Sequence, residues 1–183
     1  MTRLQLPSTP AARALHCRAR AAHVLLLLGL TAFFAPATQA ADIAIEAGQS
    51  WSGKSELGST HAVFIQVGSG HQHPVLRGKL QVQPIVTAGI VAGRDQGSNR
   101  RDAWLAGAGL RVTRPSHGRE HWFWESCVLA SSGDTPSLSG HLQFANGFGY
   151  AHGSWELKVR HISNAGLREP NHGETMLLLG YSF

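Results

Sequence analysis

From residue 41 onward the chain alternates. Between Leu80 and Ala92 one parity reads Leu80, Val82, Pro84, Val86, Ala88, Ile90, Ala92, and the other reads Gln81, Gln83, Ile85, Thr87, Gly89, Val91. Trp104, Ala106, Ala108, Leu110 and Val112 stand against Gly107, Gly109 and Arg111. Trp122, Trp124, Ser126, Val128 and Ala130 stand against His121, Glu125 and Cys127, and Trp155, Leu157 and Val159 against Glu156, Lys158 and Arg160. A period of two sends successive side chains to opposite faces of a strand, and no stretch shows a convincing helical period. Turn-rich breaks at 53–58, 68–78, 93–101, 114–118, 131–136, 149–153 and 166–173 separate these runs. They leave eight predicted strands, roughly 42–50, 59–67, 79–92, 102–113, 120–130, 138–149, 154–164 and 174–183. Most approach the ~9–11 residues that cross a bilayer as tilted strands. No repeat of 20–50 residues and no second domain is visible.

The last predicted strand carries Leu177, Leu179, Tyr181 and a terminal Phe183 on one parity. An apolar alternating strand closing on an aromatic residue resembles the assembly signal of Gram-negative outer-membrane barrels. The fold class expected is therefore all-β, an eight-stranded antiparallel transmembrane β-barrel over 41–183, closed so that no backbone edge meets lipid. The competing architecture is a soluble exported sandwich or lipocalin-like barrel, whose apolar parity would face inward. Glu156, Lys158 and Arg160 share one face and need water or partners there, because an unpaired buried charge is costly.

The segment Val24–Phe34, VLLLLGLTAFF, follows arginines and precedes the small-residue run APATQA. This is the order of a secretory signal peptide, and the apolar run is too short for a membrane-spanning helix. Residues 1–40 are expected to be removed, with the cut after Ala40 and Ala37 as second choice. The leader also changes the charge picture. The full chain has 16 Lys and Arg against 11 Asp and Glu, a formal charge of +5. Arg3, Arg13, Arg18 and Arg20 lie in the leader, which has no acid; without them 12 bases face 11 acids. A folded part so close to neutral lacks the basic excess of a general nucleic-acid binder, and no nucleic-acid partner is expected. Cleavage removes Cys17 and leaves Cys127 alone, so neither a disulfide framework nor a cysteine zinc site is available.

Candidate chemistry concentrates in RHISNAGLREPNHGE, Arg160–Glu174. His161 and Ser163 share the face of Trp155, Leu157 and Val159. An imidazole beside a hydroxyl is the minimal activated nucleophile, the His taking the Ser proton as attack begins. On spacing alone, an interfacial polar pair where the strand leaves the membrane explains H-x-S as well. The run His161-Ile162-Ser163-Asn164-Ala165-Gly166-Leu167, followed by Pro170-Asn171, Gly173 and Glu174, resembles the signature of the lipid A deacylases of the PagL type. Leader, strand count, mature length and aromatic C-terminus match as well. The resemblance implies an outer-membrane esterase that removes the ester-linked 3-hydroxyacyl chain at the 3-position of lipid A. It implies Ser163 as nucleophile, His161 as base and Glu174 as acid. An acid placed one residue later after the turn would fall on Thr175 instead.

Two arguments about Glu174 conflict. If Phe183 faces lipid, a regular strand points Glu174 into the barrel, away from His161. Simple hairpin symmetry about the turn sets Glu174 near His161, and a β-bulge would reconcile the two. Glu169 is the alternative acid. For the oxyanion, Asn164, Asn171 and the N–H of Gly166 are the donors beside the nucleophile. Arg94, Arg100 and Arg101, in the connection on the same side of the membrane, are candidate contacts for phosphates of lipid A or of neighbouring lipopolysaccharide. His71 and His73 have no carboxylate or cysteine beside them, so no metal or other cofactor is expected. The partners expected are lipid A or lipopolysaccharide as substrate and the surrounding outer-membrane lipid; a homodimer stays open. The alternative function is a non-catalytic small outer-membrane barrel with a structural or surface-protection role.

Overall fold

The structure is a computed structural model and describes residues 41–54, 57–94, 100–115, 120–132 and 135–183. The predicted leader lies outside the described residues. Among the described residues nine strands follow one another: β1 (Asp42–Ser52), β2 (Ser59–Gly68), β3 (His73–Val75), β4 (Leu80–Val91), β5 (Ala103–Thr113), β6 (Glu120–Ser131), β7 (Leu142–His152), β8 (Trp155–Ser163) and β9 (Glu174–Ser182). Each pairs antiparallel with its neighbours in the order β2-β1-β9-β8-β7-β6-β5-β4-β3, and a further β2–β4 ladder closes the ring. The eight long strands form the predicted barrel.

Strand β3 is an addition to the expectation. The first residues of β4 extend beyond its ladder with β2, and there Leu80, Gln81 and Val82 are paired instead by the preceding segment His73–Val75. Leu76 and Arg77 turn this hairpin at φ 50° and 58°, and the N–H of Gly78 donates to Val75 O at 3.1 Å. Gly78 follows at φ 80°, so three successive residues of this four-residue loop take the left-handed conformation that glycine adopts most readily. The other departure is at β7, expected from 138 and observed from Leu142. Leu138 is buried, and Ser137, Ser139 and Gly140 with it. The segment folds into the barrel mouth rather than continuing the ladder.

The alternation sorts as a membrane barrel requires. Ile43, Ile45, Val63, Ile65, Trp104, Leu110, Trp122, Trp124, Val128, Phe148, Leu157, Val159, Leu177 and Leu179 are exposed on the outer wall. Aromatics gather at the end holding Asp42 and Phe183, where Trp122 stacks on Phe148 and packs on Tyr150, and Trp155, Tyr181 and Phe183 meet edge to face. Such girdles mark the bilayer interface. The other parity fills the lumen. Arg111 contacts Glu125 and Glu156 at 2.7 Å each; Lys158 pairs with Glu46 and, at 2.7 Å, with Glu125; Arg160 lies 3.0 Å from Glu46 and 3.4 Å from Glu125. Three acids and three bases therefore neutralise one another in the barrel axis. Phe64 and Phe123 seal this layer under the Arg160 and Arg111 guanidinium groups. Their rings fit because Gly89 and Gly149 lie against them: a Cβ at either position would come within 2.4 Å of a ring carbon.

Candidate active site

The site sits at the rim of β8 and β9, at the barrel end opposite Asp42 and Phe183. His161 and Ser163 project from the outer wall, on the face of Trp155, Leu157 and Val159, as their parity requires. The ladder pairs His161 with Thr175 and Ile162 with Glu174; one step on, Gly173 lies level with Ser163. No bulge intervenes. Thr175 therefore shares the outer face, and its Oγ1 lies 3.0 Å from His161 Nδ1. The opposite edge of the ring turns toward Gly173, where a Cβ would stand 2.8 Å from His161 Cε1 and 3.2 Å from Nε2. Gly173 also has φ +67°. This position needs glycine for both reasons: the backbone conformation and the space for imidazole. Ser163 and His161 are brought to one face, but no hydrogen bond joins Ser163 Oγ to the ring in this conformation.

Glu174 is corrected. Its carboxylate points into the lumen, buried, and accepts Arg94 Nη1 and Nη2 at 2.9 Å each and Ser50 Oγ at 2.5 Å. It cannot orient His161 from there. The strand parity anchored by Phe183 prevailed over hairpin symmetry, because symmetry about a loop does not fix the register to one residue. Arg94 is corrected with it. The residue is buried against Glu174, Ser50 O and Gly58 O, and so cannot meet a lipid phosphate outside. Arg100 and Arg101 are exposed, but they precede β5, and the ring order sets the β4–β5 connection diametrically across the barrel from β8 and β9. Glu169 also stays away from His161: its carboxylate caps the Asn171 N–H at 3.2 Å. It lines a cleft of about 230 Å³ with Thr135, Pro136, Ser139, Arg168 and Pro170.

Two of the oxyanion candidates are spent on the loop itself. Asn164 is buried, its Nδ2 donating to Ser139 O at 2.9 Å and Arg168 O at 2.6 Å. Its Oδ1 accepts the Gly166 N–H at 2.9 Å, which removes Gly166 as a donor in this conformation. Asn171 uses only Oδ1, accepting Asn164 N–H at 3.3 Å, and so leaves Nδ2 as the side-chain donor that the loop does not consume. The frame for all this is the segment between β6 and β7. Gly173 N–H donates to Ser137 O, His172 N–H to Pro136 O, and Ser137 Oγ meets Ser52 Oγ. That support was missed in the sequence, where 138–141 reads as strand. Thr175 stood out only as the residue one place after Glu174; its hydroxyl against the imidazole needed the register.

The arrangement is an imidazole held at Nδ1 by a hydroxyl, with a serine on the same lipid-facing wall. His71 and His73 are exposed at the far end, and among the described residues no group of three His, Cys, Asp or Glu side chains could hold a metal. Among solved structures, the chain is similar to the outer membrane enzyme PagL, with a TM-score of 0.54 and 19% identity over 78% of this chain and 98% of that one. It also matches the Yersinia pestis outer membrane protein Ail in a phospholipid bilayer nanodisc, with a TM-score of 0.43 and 12% identity over 79% of this chain and 100% of that one. No curated protein sequence matches. The family described as Lipid A 3-O-deacylase (PagL) matches residues 40–183, the whole barrel and its site, and the chain belongs to that family.

Proposed function

We propose that the chain hydrolyses the ester-linked 3-hydroxyacyl chain at the 3-position of lipid A in the outer leaflet, with Ser163 as nucleophile, His161 as base and Thr175 as the group that holds the base. The supporting observation is the shared outer face of Thr175, His161 and Ser163 at the barrel rim. In this reading residues 1–40 are an export signal, removed to leave the barrel at 41–183. Both termini then lie in the periplasm, and the β8–β9 rim opens where lipid A resides.

The geometry supports the following chemistry. With Nδ1–H donating to Thr175 Oγ1, Nε2 carries the lone pair and faces the level of Ser163. As the serine oxygen bonds to the ester carbonyl carbon, its proton passes to Nε2. The hydrogen bond for that transfer forms with substrate in place, as such bonds commonly tighten only then. The carbonyl oxygen becomes an oxyanion, and the Asn171 amide is the donor within this loop that remains to meet it. Collapse breaks the bond to the sugar oxygen, which takes the proton back from His161. Water, activated by the same imidazole, then releases the fatty acid and restores Ser163. A neutral threonine fixes the tautomer but stabilises the imidazolium less than a carboxylate would.

Mass spectrometry of lipid A from cells with and without the protein tests this reading. Loss of one hydroxyacyl chain, dependent on Ser163, is expected. Unchanged lipid A from cells whose outer membrane contains the folded barrel would end it in favour of a non-catalytic barrel.

A further inference from the structure

Between their ends, strands β4 to β9 present an apolar outer wall except along one line. The ladders pair Thr175 with His161, His161 with Asn146, and Asn146 with Ser126. These four residues lie on β9, β8, β7 and β6 in turn, and all point outward. Directly opposed residues stand ~5 Å apart. Gln49 and His61, the outward polar pair on β1 and β2, oppose each other within three residues of their rim ends and stand apart from this line. Thr175 is at the rim end of β9, whereas Asn146 is well inside β7 and Ser126 well inside β6. Asn146 stands four residues below Leu142, the rim end of its strand. At ~3.3 Å per residue and a tilt near 40°, that is about 10 Å down into the hydrocarbon. The line therefore descends from the catalytic rim into the bilayer. Above and below Asn146 on its own strand are Phe144 and Phe148; directly beside it are His161 on β8 and Ser126 on β6, and on the diagonals are Val159, Trp124 and Val128. The Asn146 side chain is exposed and makes no hydrogen bond among the described residues. A carboxamide in lipid with nothing to bond is costly unless a ligand supplies the partner.

We infer that Asn146 is a specificity-determining residue that binds the hydroxyl on the substrate's acyl chain. This rests on the reading of the site as a lipid A esterase and names which feature of the acyl chain it selects. Ser163 pairs with Phe144, so Asn146 lies on the diagonal two residues further down, ~7–8 Å from Ser163. An acyl chain whose ester carbonyl meets Ser163 must run down this wall into the membrane. A 3-hydroxyl sits two carbons from that carbonyl, within reach of a carboxamide hanging from β7. The hydroxyl both donates and accepts, as does the Asn146 amide. Water does not compete at this depth, so an unhydroxylated chain leaves the amide unpaired and is rejected. Ser126, one strand on, continues the line for a chain that shifts across β6.

The substrates for the test are lipid A with a 3-hydroxyacyl chain at the 3-position and a synthetic lipid A lacking only that hydroxyl, both in detergent micelles. Asn146→Leu replaces an amide by an apolar group of similar size on a lipid-facing wall, so the barrel should fold, with heat-modifiable migration as the check. The variant should lose roughly 10- to 100-fold in kcat/KM on the hydroxylated lipid and stay within about twofold on the other. Asn146→Gln should recover part of the loss. An equal fall on both lipids, or no fall, overturns the assignment; a changed pH profile would mean that Asn146 acts through His161 instead. A second readout does not need turnover. Native mass spectrometry of the Ser163→Ala protein should show preferential retention of the hydroxylated lipid, abolished by Asn146→Leu. If the wild-type chain cleaves neither lipid, the esterase reading fails, and the retention experiment still decides Asn146: equal retention of both lipids by the Asn146 protein overturns its role.

Discussion

The barrel carries two polar regions that obey opposite rules. In the lumen, Glu46, Glu125, Glu156, Arg111, Lys158 and Arg160 are buried and each lies within 3.4 Å of an opposite charge. On the outer wall, Thr175, His161, Ser163 and Asn146 face lipid with a single hydrogen bond between them. The inner set is closed: its charges balance and pair with one another. The outer set is open: its donors and acceptors are incompletely paired among the described residues, which is what the proposed binding of an amphipathic substrate requires. Polar groups in hydrocarbon are expensive, and their usual explanation is function. The two faces of one strand, β8, show the contrast within a few residues. Arg160 is locked inside, while His161 and Ser163 wait outside.

The largest effect should come from the open side. On the proposed mechanism Ser163→Ala removes the group that forms the covalent intermediate and His161→Asn removes the base, so each should lower deacylation by at least about 10³-fold. Neither is part of a packed core, so the barrel should still assemble with unaltered heat-modifiable migration. Full activity in Ser163→Ala, read as loss of one hydroxyacyl chain by mass spectrometry, would break the comparison at its functional end.

The closed side should answer the other way. Glu125 meets Arg111, Lys158 and Arg160, so Glu125→Ala leaves three buried cations with too few acids. Removing one partner of such a cluster costs about 3–5 kcal/mol. Denaturant titration in micelles should show that loss, and the fraction that remains folded should deacylate lipid A at close to the normal rate. A stable Glu125→Ala barrel would mean that the lumen network contributes little to the fold.

Much of this division was legible in the sequence, and the failures share one cause. Alternation gave the strands and their faces: Trp155, Leu157, Val159, His161 and Ser163 are all outward, and Glu156, Lys158 and Arg160 all inward. The terminal Phe183 gave the parity of β9. What alternation does not contain is register between strands separated by the long loop from Asn164 to Gly173, and one residue of register exchanges Glu174 for Thr175 beside His161. Nor does it contain contacts across the lumen. Arg94 reads as an exposed loop arginine, yet it crosses to Glu174 on the far wall. The segment 138–141 reads as the start of a strand, but Leu138 is drawn into the barrel mouth and the ladder starts later, at Leu142.

Glu174 and Thr175 sharpen the comparison at adjacent positions. Thr175→Val removes the hydrogen bond to Nδ1 while keeping shape, and a neutral hydrogen bond is worth about 0.5–1.5 kcal/mol, so activity should fall by up to about tenfold with no change in stability. Thr175→Glu offers the imidazolium a charged acceptor at the rim and should raise turnover several-fold. Glu174→Gln should do the reverse: a lower unfolding midpoint, because Arg94 loses its charge partner, with kcat within about threefold of normal. Should Glu174→Gln abolish turnover at unchanged stability while Thr175→Val does nothing, the roles of the two residues are interchanged.

The smallest effect concerns the exposed arginines. Arg100 and Arg101 belong to neither set, being outside the lumen and across the ring from His161. A lipid held at Ser163 against the β8 wall would have to bridge the barrel mouth to reach them. Cations at a membrane surface still attract anionic lipid, a contribution of about 1 kcal/mol per residue that salt screens. Arg100→Ala with Arg101→Ala should therefore raise KM in anionic bilayers by no more than a few-fold, leave kcat alone, and lose even that effect at high ionic strength. A large fall in kcat that persists in salt would place these arginines on the reacting lipid, and the open region would then extend over the mouth of the barrel rather than down its wall.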